Sequence, residues 1–213
     1  GIAVSPDGSD AKVAGIGRPR SVSEDLLHSV HFVTTDNQVR MIDPRGRFRT
    51  FASANAGYVK TAMKRPTHLI YDSVDRPIVV DSGNNRILKL YAINGEVEVA
   101  LGGGLAKDTQ DSTSDSVALV EPIQLTYDSV LKRYFVLEKS GRILLWDGVS
   151  GGRVVPVNVA TVKDALSGSG AQAITFSPAL GLIVAQGNSI QMGASIGHQA
   201  ALESYRAFSD PES

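Results

Sequence analysis

An all-β, propeller-like array of about four blades is the fold that three features of the sequence predict. The chain repeats itself, its apolar residues fall in short runs rich in β-branched and aromatic types, and turn-forming residues punctuate those runs. The repeat is clearest between 66–90 and 122–146. Arg65-Pro66-Thr67-His68-Leu69-Ile70-Tyr71-Asp72-Ser73-Val74 matches Glu121-Pro122-Ile123-Gln124-Leu125-Thr126-Tyr127-Asp128-Ser129-Val130 at an offset of 56, with ten identities over the 25 positions. Unrelated segments share about one or two. The alignment runs without a gap through Val80/Val136, Arg86/Arg142, Ile87/Ile143 and Leu88/Leu144.

Taken in order, the units are 19–65, 66–121, 122–170 and 171–197, preceded by a stub, 1–17. In the first, Pro19 leads to Val30-His31-Phe32-Val33 and then to Val39-Arg40-Met41-Ile42. In the last, Ala173-Ile174-Thr175-Phe176-Ser177-Pro178 leads to Leu182-Ile183-Val184-Ala185. The stub carries a similar Ile2-Ala3-Val4-Ser5-Pro6. Each unit reads as strand, turn, strand, turn, strand. Both faces of Arg86–Tyr91 are mostly apolar, which predicts a strand buried on most of its surface. Pro44-Arg45-Gly46, Gly83-Asn84-Asn85, Asn94-Gly95 and Ser140-Gly141 supply the positive φ of tight hairpins. At the end, 198–213 changes character. Ala201, Leu202, Tyr205 and Phe208 fall on one face of a predicted short amphipathic helix, which would cap the array or dock on a partner.

Composition removes several classes. Of 213 residues, 21 are Lys or Arg and 22 Asp or Glu, a net charge of −1; 42 % are apolar and 20 % charged. That is too apolar for a disordered chain and not basic enough for a general nucleic-acid binder. There is no Cys, hence neither a disulfide framework nor a thiolate metal site. No apolar run approaches the roughly 18 residues of a membrane span. Residue 1 is Gly with no signal-peptide pattern after it. A natural, a processed and a truncated terminus all fit that start, and the compartment stays open.

Val80-Asp81-Ser82-Gly83-Asn84-Asn85-Arg86-Ile87 resembles the signature of the NHL-repeat β-propellers. Pro66, the run Leu69-Ile70-Tyr71-Asp72, and the Gly102-Gly103-Gly104 stretch with its polar loop before Val120-Glu121-Pro122 resemble the surrounding segments of that family. The third unit keeps Arg142-Ile143 but has Leu137-Glu138-Lys139-Ser140 in place of the signature's start. The resemblance implies that Asp81, Asn84 and Arg86 tie a hairpin and that Ile87 packs between blades. Family rings are larger than four units close. The expectation is therefore either a small propeller, closed by the stub beside the last unit, or a segment completed by a neighbour that covers its open edge.

Candidates for chemistry are few. Asp108, Asp111 and Asp115 lie in a polar loop that can be read as a calcium site, but it lacks the alternating carboxylates and terminal Glu of a calcium loop. Exposed-loop is the plainer reading. Gly148-Val149-Ser150-Gly151-Gly152 and Gly193-Ala194-Ser195-Ile196-Gly197 match Gly-x-Ser-x-Gly, yet strands are predicted on both sides of the first. His28 and His31 are three apart, which places them on opposite faces of a strand. Asp72 and Asp128 recur at equivalent positions. A calcium-dependent hydrolase or lactonase of the propeller class would gather such residues around a channel, whereas their place in a repeated turn points to a structural role. Arg40, Arg45, Arg47 and Arg49 cluster in the first unit, a patch for an acidic partner or for single-stranded RNA, with few aromatics for stacking. The leading expectation is a non-enzymatic interaction or scaffold propeller, a part of a larger assembly, without cofactor, with other protein chains rather than nucleic acid as partners. Tyr205 and Phe208 join the arginines as candidate partner contacts.

Overall fold

The computed structural model describes residues 5–53, 63–91, 97–104, 112–157, 170–187 and 189–192. These residues form four antiparallel meander sheets and a single-turn 3₁₀ segment. The predicted helix in 198–213 lies outside them. The chain divides into two compact units, Gly1–Val99 and Ala100–Ser213.

In the first unit, β1 (Pro19–Glu24), β2 (Val30–Thr34), β3 (Gln38–Ile42) and β4 (Phe48–Ser53) pair in chain order. A second sheet follows in the same order: β5 (Pro66–Tyr71), β6 (Pro77–Asp81), β7 (Arg86–Leu90) and β8 (Val97–Gly102), which runs across the unit boundary. The sequence predicts three strands per unit; each of these sheets adds a fourth on its outer side. Strands β6 and β7 are buried at every position, as a continuous apolar run between covered faces requires. Their Val79, Leu88 and Leu90 pack with Val33 and Val39 of the first sheet, with Leu69 and with Met63. Burial of this apolar face is what holds the two sheets together; full burial of each such side chain contributes about 1.5–3 kcal/mol.

The described part of the stub does not leave its own unit. Gly8 N–H donates to the Phe48 carbonyl at 2.7 Å, Phe48 N–H to Ser9 at 2.9 Å, and Ala11 N–H to Gly46 at 2.9 Å. The stub is thus an addition to the β3–β4 hairpin, with Asp10 bridging Arg47.

In the second unit, β10 (Pro122–Asp128), β11 (Arg133–Glu138), β12 (Ile143–Trp146) and β13 (Arg153–Pro156) form a sheet that β9 (Ser112–Thr113) extends. The described residues of the polar segment, 102–104 and 112–120, are therefore not simply an exposed loop. Ser112, Ser114, Val117 and Leu119 are buried, and the Ser114 hydroxyl accepts from Gly151 N–H at 2.8 Å. Strands β14 (Ala173–Ser177), β15 (Gly181–Gln186) and β16 (Ser189–Met192) make the last sheet. Phe135, Leu137, Ile143 and Leu145 pack against Ile174, Leu182 and Val184. Trp146, fully buried, stacks on Tyr134 at 4.9 Å and donates its indole N–H to the Val149 carbonyl at 3.1 Å.

Strand pairing corrects the ungapped alignment of the two best repeats. Leu69 faces Val79, and its counterpart Leu125 faces Val136, so Val79 and not Val80 is equivalent to Val136. The hairpin after β10 is one residue longer than that after β5, and the next turn is one residue shorter. The shift makes Glu138 the equivalent of Asp81: both sit opposite the Pro that starts the inner strand. Asp81 Oδ1 accepts from the Lys64 backbone N–H at 2.6 Å, and Oδ2 from Asn84 at 2.8 Å and Arg86 at 2.7 Å. Glu138 does the same with the Val120 N–H at 2.8 Å and with Arg142 at 2.7 and 2.8 Å. A side chain one methylene longer fits the tighter turn. In the first sheet that position is Thr34, whose hydroxyl donates to the Gln38 carbonyl, and Asn37 accepts from Arg65 N–H instead.

Gly83 makes this tie possible. Its N–H donates to the Lys64 carbonyl at 2.8 Å, and a Cβ at this position would sit 2.6 Å from that oxygen. Gly83→Ala is expected to lower stability by about 1–3 kcal/mol, seen as a lower urea midpoint at unchanged slope.

Candidate functional site

The first hairpin of three of the four sheets is built on one carboxylate; in the last sheet Ser177 holds that position, and its carbonyl accepts from Leu180 N–H at 3.2 Å. Asp72 directly follows β5, and its Oδ1 accepts from the backbone N–H groups of Val74 (3.0 Å) and Arg76 (2.9 Å). Its Oδ2 takes two bonds from the Arg76 guanidinium, at 3.0 and 2.8 Å. Asp128 repeats the arrangement with Val130, Leu131 and Arg133, each at 3.0 Å. Both carboxylates are almost fully buried, 3 % and 2 % exposed, and each has its own cation. Their oxygens are consumed by the turns, which is the structural role the repeat suggests rather than a channel of metal ligands.

Asp25 holds this position in the first sheet, 47 residues before Asp72. Its Oδ1 accepts from Leu27 N–H at 3.0 Å and Ser29 N–H at 2.7 Å, so the turn is the same. The cation is not. Ser29 stands where Arg76 stands, and His31 stands where Ile78 stands. Asp25 Oδ2 therefore faces the His31 ring, with Nδ1 at 3.9 Å, outside hydrogen-bonding distance. His31 is 1 % exposed, its edge set against Phe51 (4.8 Å) and Tyr71 (5.4 Å), and neither ring nitrogen has a hydrogen-bond partner among the described residues. Burial lowers its pKa, opposed by the charges of Asp25 and Asp75 and by the Ser29 backbone nearby. Burial, followed by the same two carboxylates, raises that of Tyr71. The adjoining hairpin is tied in by Asp75, whose Oδ1 accepts from Leu26 N–H at 3.0 Å. Two carboxylates, a phenol and a neutral imidazole thus meet where two hairpins join.

The tips of these hairpins are apolar and face solvent. Leu26 is 77 %, Leu27 74 % and Val74 70 % exposed. In the second unit, Val130, Leu131 and Leu180 occupy the corresponding tips and are exposed too. The repeat keeps Ser73-Val74 as Ser129-Val130, although the fold buries neither valine.

Of the arginines singled out in the first unit, Arg45, Arg47 and Arg49 are exposed on the β3–β4 hairpin and Arg40 is not. Arg40 is buried, its guanidinium 4.5 Å from the centre of the Phe48 ring and bonded to the Ser5 carbonyl at 2.9 Å and Asp7 at 3.3 Å. Arg47 donates to the Gly8 carbonyl at 3.1 Å, and Arg49 to Asp43 at 3.0 Å. Arg45 is exposed at the tip of the β3–β4 hairpin. Asp43 carries that turn on its Oδ1; the Arg47 backbone N–H, with Arg49 and the Arg45 N–H, holds its carboxyl below the usual range against some desolvation. Asp115 is exposed and accepts from the Ser114 hydroxyl at 3.3 Å. Asp108, Asp111, Tyr205 and Phe208 lie outside the described residues. Among those described, no group of three His, Asp or Glu side chains can hold a metal ion, and no helix is long and apolar enough to cross a membrane. His28 is not on a strand opposite His31: it ends the hairpin with φ +63° and pairs with Glu24 at 2.8 Å. The first Gly-x-Ser-x-Gly match is the β12–β13 turn, strand on both sides.

Sequence inspection by residue type passes over Asp25 and Asp75 and does not connect His31 with them. The signal that finds them is the 47-residue offset, along which Arg76 becomes Ser29 and Ile78 becomes His31.

No protein-family model and no curated protein matches the sequence. Solved structures do match. A Bacteroides thetaiotaomicron protein of unknown function superposes with a TM-score of 0.64 at 18 % identity, over 83 % of this chain and 47 % of that one. A streptogramin B lyase gives 0.55 at 12 %, over 82 % and 53 %. An auxiliary nutrient binding protein of B. thetaiotaomicron gives 0.59 at 11 %, over 80 % and 46 %. Likeness at this identity shows the fold class, that of β-propellers, whose members include an enzyme and a binding protein. The chain spans about half the length of these structures.

A second histidine makes the fold pH-sensitive. Ser21 and Gln124 sit two residues after the Pro of their inner strands, and each accepts a backbone N–H of the next blade, Leu69 at 3.1 Å and Ile174 at 2.9 Å. His68 holds the equivalent place in the second sheet, where burial pushes its pKa down to about 4. A histidine whose folded pKa is depressed contributes full stability above the unfolded value near 6.5 and loses it as pH falls towards 4. The slope is at most ~1.4 kcal/mol per pH unit for each such group. Melting temperature is expected to drop between pH 6.5 and 4. His68→Gln, which installs the residue found at position 124, should flatten that drop while keeping the fold.

Proposed function

We propose that this chain is part of an NHL-type interaction propeller, a scaffold whose work is to hold other protein chains, and that the tips of the blades' first hairpins are the contacts it uses. The observation that carries this reading is the set of exposed apolar tips: Leu26, Leu27, Val74, Val130, Leu131 and Leu180 recur at one corner of the repeat. Isolated exposed apolar residues are ordinary, but the same corner left apolar in every sheet is a feature that folding does not require. The repeated acids are already occupied by turn N–H groups and arginines, which supports a binding rather than a catalytic role for them. The nutrient binding protein among the similar structures supports a binding role of some kind for this fold. The chain's span of about half of the similar structures supports a place within a larger assembly.

Native mass tests this directly. Isolated gently from its source, the protein should elute at several times the mass of one chain. Replacing Leu26, Leu27 and Val74 together by Ser should reduce that mass while leaving the melting temperature within a few degrees. A single-chain mass together with a catalytic activity would overturn the proposal.

A further inference from the structure

The blades disagree at one point, and the disagreement defines a site. In the second and third blades a nearly buried carboxylate carries a turn on one oxygen and an arginine on the other. In the first blade the carboxylate and its turn are retained, while the arginine is replaced by Ser29, itself 5 % exposed. Asp25 stays largely withdrawn from solvent, its side chain 13 % exposed, and the nearest cation-capable group is an imidazole that burial keeps neutral. A carboxylate in that position is costly without a counter-ion. Asp75 adds a second negative charge beside it, and the Tyr71 hydroxyl lies in the field of both. His31 supplies a second observation: a buried ring whose Nδ1 lies 3.9 Å from Asp25 Oδ2 and whose two nitrogens make no hydrogen bond of ordinary geometry among the described residues.

The chemistry of the missing group follows from its surroundings. The other blades show that the place takes a guanidinium, whose planar fork bonds a carboxylate oxygen through two N–H groups. No triad of His, Asp or Glu for a metal ion is present among the described residues. The rim is not that of a small-ion site either: Leu26, Leu27 and Val74 stand exposed around it, with Glu24 and Asp75 adding negative charge. Apolar surface next to a buried anion suits an arginine carried on a polypeptide, whose neighbouring side chains cover the leucines.

Resting on the interaction reading above, we propose that the juncture of the first two hairpins receives an arginine side chain of a partner protein, which gives Asp25 the guanidinium that Arg76 and Arg133 give its counterparts. The site is then a repeat element adapted for use: the turn is kept, the internal cation is absent, and the outer carboxylate oxygen is left to a partner's cation.

The probe is the peptide acetyl-Leu-Arg-Leu-amide, titrated into the full chain and followed by NMR at the His31 ring and the backbone amides of 25–29. Saturable shifts are expected, weakened about tenfold or more when citrulline replaces the arginine. Ser29→Arg restores the repeat's own cation and should abolish binding while melting at or above the temperature of the unaltered chain. Asp25→Asn keeps the turn acceptor, removes the charge and should also abolish binding, so the test stands if either variant folds. Equal binding of the citrulline peptide, or binding unchanged in a folded variant, would refute the site. Free arginine binding as tightly as the peptide would refute the protein partner. A large native mass without peptide binding would refute this site alone and leave the interaction reading standing.

Discussion

One constraint governs these hairpins: a tight turn at the end of a buried strand points several backbone N–H groups at a single spot, and something must accept them. Asp25, Asp72 and Asp128 do so for the first turn, Asp81 and Glu138 for the second in two of the blades. A charged acceptor is stronger than a neutral one, about 1.5–3 kcal/mol against about 1 kcal/mol for each bond. The charge brings its own requirement. It sits where water is scarce, so each carboxylate needs a cation nearby, and arginine at the start of the next strand is the shortest covalent way to provide one. Turn, acid and arginine are therefore a single unit, and the sheets are arranged around it.

From that unit follow both the rigidity of the hairpin corners and the exception at Asp25. Where the arginine is present the corner is electrically closed. Where Ser29 replaces it, the turn survives, because the N–H groups still have Oδ1, but the outer oxygen faces a neutral ring. The apolar tips add a second departure from an ordinary soluble hairpin. Leu26 and Leu27 are fixed in place by backbone bonds to Asp75 and Asp25, so they present a preformed surface and lose little freedom when covered.

Most of the fold class was legible in the residues. The 56-residue repeat, the Pro66 and Pro122 strand starts, the buried run Arg86–Leu90 and the turns at Gly46, Gly83 and Gly141 predict meander sheets, and meander sheets form. The outer strands were less legible, because β4 and β8 are mixed in polarity and β9 has two residues. The candidate site was written in the sequence only as a difference between repeats. Residue types alone favoured the arginines of the first unit, of which Arg40, Arg47 and Arg49 engage the stub, a ring and a carboxylate while Arg45 stays exposed.

The sequence by itself determined that the chain builds repeated all-β sheets, since apolar periodicity and turn residues act locally. It also placed Asp72 and Asp128 at equivalent positions of the two clearest repeats. Tertiary structure alone decided which residues are equivalent, because a one-residue exchange between adjoining turns leaves the total spacing unchanged while moving Glu138 into the place of Asp81. It alone decided that Arg40 is internal and Leu26 external, and that His31 closes on Asp25 without bonding it. Those outcomes depend on distances between strands that no local pattern encodes.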